Sequence, residues 1–217
     1  MNDRARLLVI ALLAASTAGC TVSESSPGST TEGDDSSPFP AQGIYGRAPV
    51  AAGGVPSVIM LTPAHVGSST NEFDSTVTID QFGLTFSPTL ITIRLGTAVV
   101  FTNSESALAH NVRVRALGST VDLIDADANP GERLPVSVST AGGYDVLCDM
   151  HPGMTAFVFA SNAERSVFAE ANGTFQLDDV PPGTYTIQLW TAQGGFHQER
   201  IIDIGSGSTG IDLDTSG

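Results

Sequence analysis

From residue 75 to residue 106 the chain reads STVTIDQFGLTFSPTLITIRLGTAVVFTNSES, with apolar and polar residues taking turns at a period of two. That period sends successive side chains to opposite faces of an extended strand, so it suits a sheet with one face against a core. Gly83, Pro88 and Gly96 interrupt the pattern at the spacing of turns. Further strand-like runs follow in HNVRVRAL from residue 110, RLPVSVSTAGGYDVLCD from residue 133 and TAFVFAS from residue 155, and no stretch makes a convincing amphipathic helix. The expectation is an all-β chain built as a sandwich or barrel.

Strands continue past residue 164. SVFAEANGTFQLDDVPPGTYTIQLWTAQGGFHQERIIDI holds a hairpin turn at Asn172-Gly173, a turn at Pro181-Pro182-Gly183 and two later strands. That predicts four short strands, a thin sandwich with unpaired edges. Residues 42–64, QGIYGRAPVAAGGVPSVIMLTPA, add two strands around a glycine turn. This opening, and ANGTFQLDDVPPGTYTIQLW later, resemble the two halves of a carboxypeptidase-regulatory or transthyretin-like domain. The resemblance implies one small Ig/transthyretin-like β-sandwich, split between residues 42–72 and 163–214, which encloses a separate domain at 73–162. Two consecutive domains, with 42–72 joined to the first, is the alternative. Trp190 is expected in the core of the small sandwich.

The first twenty residues, MNDRARLLVIALLAASTAGC, join two arginines to a short apolar run and then small residues before Cys20. The run is too short to span a bilayer and fits a secretory signal. STAGC resembles a bacterial lipobox, which implies removal of residues 1–19 as a lipoprotein signal peptide and lipidation of Cys20; ordinary signal cleavage is the alternative. Residues 20–41 are rich in Ser, Thr, Gly, Pro and acid. They are expected to form a flexible tether, its coil spanning roughly 25 Å. The expected location is the bacterial envelope, periplasm or outer membrane, with the lipid as the sole membrane contact.

Charge narrows the partners. The net charge is −14 and there is no lysine, which argues against nucleic acid, since phosphate binding needs a basic face. Such a balance suits a soluble carrier that steers toward a neutral or basic partner, or serves solubility alone.

The densest chemistry lies in the heptad CDMHPGM, where Cys148, His151 and Met154 fall at spacings of three. Thiolate, thioether and imidazole together favour copper over calcium, magnesium or manganese. Pro152 stiffens the loop, and Gly153 admits dihedrals that other residues resist. Read alone, the heptad is either a copper loop or a turn that holds a buried cysteine. His110, at the start of HNVRVRAL, is the candidate fourth donor. DADANPGER begins like an EF-hand with Asp125, Asp127 and Asn129, but Pro130 holds the glycine position and Val136 the twelfth, so calcium is not expected.

Taken together, FSPTLITIRLGTAVVFTNSESALAHNV and YDVLCDMHPGMTAFV resemble the cupredoxin family, the Greek-key blue copper proteins, especially its short-loop amicyanin-like and plastocyanin-like members. The elements stand in family order: Phe-x-Pro, a Gly before a strand, Asn103 before the loop, His-Asn-Val, and Tyr144 four residues before Cys148. With the VPPGTYT unit, the chain further resembles the methylamine-utilisation-protein-like group. The resemblance implies one type 1 copper cycling between Cu(I) and Cu(II). His110, Cys148 and His151 would be its equatorial ligands and Met154 its weak axial one, with Asn111 bracing the loop. Asp149 departs from the small or neutral residue common after the cysteine; pointed inward it would lower the potential, but it is expected to face solvent. Gly153 replaces the aromatic that often precedes the methionine, which implies a more open loop.

The expected function is single-electron transfer between redox proteins of the envelope, by a monomer that is not an enzyme. Copper storage or delivery, and a non-redox scaffold or adhesion module, are the alternatives.

Overall fold

The computed structural model describes residues 42–51, 53–65 and 75–214. The expected signal peptide at 1–19, the lipidation at Cys20 and the tether at 20–41 lie outside the described residues.

Between Thr76 and Ser161 the alternating runs become two sheets. One has four strands in the order β4 (Thr85–Ser87), β3 (Thr76–Phe82), β6 (Ala98–Asn103) and β9 (Arg133–Ser137). The other has five, in the order β5 (Leu90–Arg94), β11 (Thr155–Ser161), β10 (Gly142–Leu147), β7 (His110–Ala116) and β8 (Asp122–Ala128). The pairs β3–β6 and β5–β11 are parallel, and the remaining neighbours are antiparallel. Ile79, Phe86 and Phe101 from the first sheet pack with Val112, Val114, Val146 and Val158 from the second, as a period of two demands. The Phe86 and Phe101 rings meet edge to face, their centroids 6.1 Å apart. The all-β sandwich expectation is met.

The topology sets up one end of this sandwich. β3 and β6 run parallel and finish together at Phe82 and Asn103, β7 starts there with His110, and β10 arrives antiparallel to β7. The loops at that end therefore carry both sequence segments of the predicted site.

The flanking segments make two further sheets. β1 (Gly43–Arg47) lies between β13 (Thr174–Asp178) and a parallel β17 (Ser208–Asp212). β2 (Val58–Pro63) lies between β12 (Arg165–Phe168) and β14 (Gly183–Thr191), and β14 also pairs with β16 (Arg200–Ile204) and with β15 (Gly195–Phe196). Ile44, Ile59, Leu61, Phe175, Leu177 and Ile187 fill the space between them. Instead of four strands, residues 165–212 form six. The two additional ones are a two-residue return after Thr191 and a Gly/Ser-rich segment whose weak strand propensity hid it.

Trp190 departs from its expected place. It is 4% exposed and clusters with Val58 and Met60 of β2 but also with Phe157 and Phe159 of β11. Its ring lies 5.0 Å from that of Phe159 and 6.0 Å from that of Phe157. Alternation explains this: Tyr185, Ile187 and Leu189 point into the core between the two flanking sheets, so Trp190 points the other way. Gly143 makes room for it, since a Cβ there would run into Phe157 and come within 2.9 Å of the Trp190 ring.

Candidate metal centre

β10 ends at Leu147 and β11 begins at Thr155, so the heptad is the turn between two paired strands. Three backbone hydrogen bonds wind it tightly. His151 N–H donates to Cys148 O at 3.3 Å, Met154 N–H to His151 O at 3.0 Å, and Cys148 N–H to Met154 O at 3.2 Å. Gly153 has φ +97°, a conformation that L side chains resist, which accounts for a glycine at this point. The winding converts spacings of three along the chain into side chains on one side of a loop.

His110 arrives from the other segment, at the first residue of β7 and opposite Ala128 of β8. The loop before it is anchored by Asn103, which is 1% exposed. Its Nδ2 donates to Leu108 O at 2.9 Å and to Ala128 O at 2.7 Å, while its Oδ1 accepts from Glu105 N–H at 3.0 Å. A buried carboxamide with its bonding capacity so fully used fixes the backbone on both sides of the histidine.

The two segments converge. His110 Nδ1 lies 3.1 Å from His151 Nδ1, and Cys148 Sγ lies 3.5 Å from His151 Nδ1. The three candidate ligand atoms all fall within 4.8 Å of one another. His110 is fully buried, Cys148 is buried as a free thiol, and His151 is half-buried. Burial, and then the charge on His151, hold the His110 imidazole below its usual pKa against a small opposing pull from Glu105. A neutral imidazole keeps a lone pair for a metal. Met154 is buried at the end of the same loop. Met150 faces solvent and takes no part.

Asn111 and Asp149 sit behind the cluster. Asn111 N–H donates to Cys148 Sγ at 3.3 Å, and Asp149 N–H donates to Asn111 Oδ1 at 3.4 Å. The Asp149 carboxylate turns outward into an ion pair with Arg113 Nη2 at 2.8 Å. Elsewhere, His65 is exposed, and His197 Nε2 shares a 2.9 Å hydrogen bond with Thr191 Oγ1.

Two residues at the site escaped sequence reasoning, Arg113 and Asp125. Both lie on the outer face of β7 and β8, opposite each other in register. The alternation in DLIDADA was the available signal, but aspartate is disfavoured in strands, and the segment read as a failed calcium loop.

The donor set is one thiol and two imidazoles, buried together and close enough to share one ion, with a thioether on the same loop. That is the ligand chemistry of a soft, redox-active metal and it suits copper. Residues 73–160 match the family of copper binding proteins, plastocyanin/azurin family. This segment is a cupredoxin domain. Its cofactor is copper, and the cluster of His110, Cys148 and His151 fits a type 1 site.

The cupredoxin domain also has likenesses among solved structures. A Cu-containing nitrite reductase from Thermus scotoductus is 25% identical over 39% of this chain and 22% of the reductase, with a TM-score of 0.36. A purple cupredoxin from Nitrosopumilus maritimus is 25% identical over 39% of this chain and 99% of its own, with a TM-score of 0.35. A reduced amicyanin variant is 21% identical over 46% of this chain and 98% of its own, with a TM-score of 0.36. No curated protein matches the chain.

Proposed function

We propose that this protein is an electron carrier of the bacterial cell envelope rather than an enzyme, in which His110, Cys148, His151 and Met154 would hold one copper ion. The observation that carries the reading is the meeting of one thiol and two imidazoles in a buried cluster whose outer member, His151, is half-exposed. Bound copper supplies a Cu(I)/Cu(II) couple that takes up and gives back one electron. The chain's own part is to hold the donor atoms still. Asn111 N–H stabilises negative charge on the Cys148 sulfur, the three backbone bonds keep the loop wound, and Asn103 fixes His110. Little then has to rearrange as the oxidation state changes, and the exposed edge of His151 is the shortest way out for an electron.

The surface around that edge supports a protein partner. Phe82, Leu84, Leu108 and Met150 are exposed at the same end of the sandwich. The turn that holds Phe82 and Leu84 is tied to the Glu105 carboxylate by the Gly83 N–H at 2.7 Å. An apolar face on a molecule of net charge −14 suits a redox protein with an apolar, neutral or basic face.

The reading includes export, lipidation at Cys20 and a tether that holds the domain off a membrane, supported by the leader-like residues 1–19 and the STAGC motif. It also takes residues 42–72 and 163–214 as one small regulatory-like or transthyretin-like sandwich around the cupredoxin domain at 73–162. The pairing of β1 and β2 with strands after residue 164 supports that division.

Voltammetry of the copper-loaded protein tests the carrier role. A reversible one-electron wave with fast self-exchange is expected. Transfer of copper to a metal-free acceptor, without electron exchange, would instead establish delivery.

A further inference from the structure

We propose that Asp125 is a positioning residue for the copper loop, acting through the Asn111 carboxamide; this rests on the copper reading above. Asn111 is 6% exposed and stands between the loop and the edge strand β8. Its Nδ2 donates to Asp125 Oδ1 at 2.9 Å. A carboxylate only accepts, so the end of the carboxamide that faces Asp125 has to be the NH2. That orientation leaves Oδ1 facing the loop, where it accepts from Asp149 N–H. Turned over, the carboxamide would set its NH2 against the Asp149 N–H, donor against donor. Asp125 therefore decides which end of Asn111 meets the residue that follows the cysteine.

The same residue reaches the sulfur, because the Asn111 backbone N–H donates to Cys148 Sγ. Asn111 thus holds the first two residues of the loop at once, and its own orientation is set from the neighbouring strand. Arg113 adds a second tie. It shares the outer face of β7 with Asn111, lies opposite Asp125, and pairs with Asp149 at 2.8 Å. Asp127 offers a natural control. It lies directly opposite Asn111 with the same charge, yet the bond from Nδ2 goes to Asp125.

The test uses the full chain, metal-free and with one equivalent of Cu(II), as wild type, Asp125→Ala, Asp125→Asn and Asp127→Ala. In the metal-free protein, Asp125→Ala is expected to speed hydrogen exchange at the Asp149 amide and alkylation of Cys148 by about tenfold, the loss of one charge-assisted hydrogen bond. Asp125→Asn is expected to fall between, since its amide can meet either end of Asn111, and Asp127→Ala to match wild type. Asp125→Asn keeps the side-chain shape and carries the test if Asp125→Ala does not fold. With copper bound, the thiolate absorption band and the midpoint potential move in Asp125→Ala and stay in place in Asp127→Ala. Equal exchange and alkylation in the Asp125 and Asp127 variants would overturn the positioning role. A wild type with no intense copper–thiolate band would sink the copper reading alone, and the metal-free measurements would still decide the role of Asp125.

Discussion

His110 and His151 come from opposite segments of the cupredoxin domain and meet Nδ1 to Nδ1 at 3.1 Å. Two ring nitrogens at that separation make at best one hydrogen bond, whereas a shared ion would satisfy both. Copper is therefore expected to stabilise the native chain, by about 4 kcal/mol when free copper is about a thousand times its dissociation constant. Thermal unfolding with and without copper checks this, and His151→Ala should remove most of the gain.

Met154 is the one candidate ligand that supplies a thioether. Met154→Gln exchanges the soft sulfur for a harder amide oxygen, which favours Cu(II). The variant is expected to keep an intense thiolate band and to show a lower midpoint potential by voltammetry. An unchanged potential would take Met154 out of the ligand set.

Trp190 is the single tryptophan of the chain and packs against Phe157 and Phe159 of β11. Trp190→Ala is expected to destabilise the protein by about 3–5 kcal/mol, the usual cost of emptying a buried aromatic site. Urea unfolding followed by circular dichroism measures it. Gly143→Ala should also destabilise, because the added methyl meets the same rings.

The Arg115 Nε–H donates to Asp122 Oδ1 at 2.7 Å, and that bond holds the Asp122 carboxyl below its usual pKa. With the folded value below the unfolded one, the stabilisation is complete above the unfolded value of about 3.9 and is lost as pH falls through the folded value. The difference in thermal midpoint between wild type and Asp122→Asn should be steady at neutral pH and shrink as the pH drops below about 4. A difference that does not shrink as the pH is lowered from about 4 would contradict the assignment.

The sandwich was legible because alternation marks strands that have one face in a core, as in β3 and β7, while β11 showed itself as a short apolar run that is buried on both faces. β8 was not, because its outward positions are aspartates, and neither was β17, which is Gly- and Ser-rich. The same distinction runs through the site. Cys148, His151 and Met154 announce themselves by type and spacing, and His110 by the HNV that follows a strand and a loop. Arg113 and Asp125 are ordinary surface residues until the β7–β8 register places them opposite each other. Asp149 turns outward as expected, but the Arg113 partner that holds it there came only with the structure. Trp190 shows the limit for packing: its face follows from alternation, but what that face meets depends on tertiary contacts that no local pattern encodes.

The most direct test of the account is the absorption and electron paramagnetic resonance spectrum of the protein with one equivalent of Cu(II), beside that of Cys148→Ser. The account predicts an intense blue thiolate-to-copper band and a narrow copper hyperfine splitting in the wild type, both lost in Cys148→Ser. A wild type without that band, or a Cys148→Ser variant with an unchanged spectrum, would contradict it.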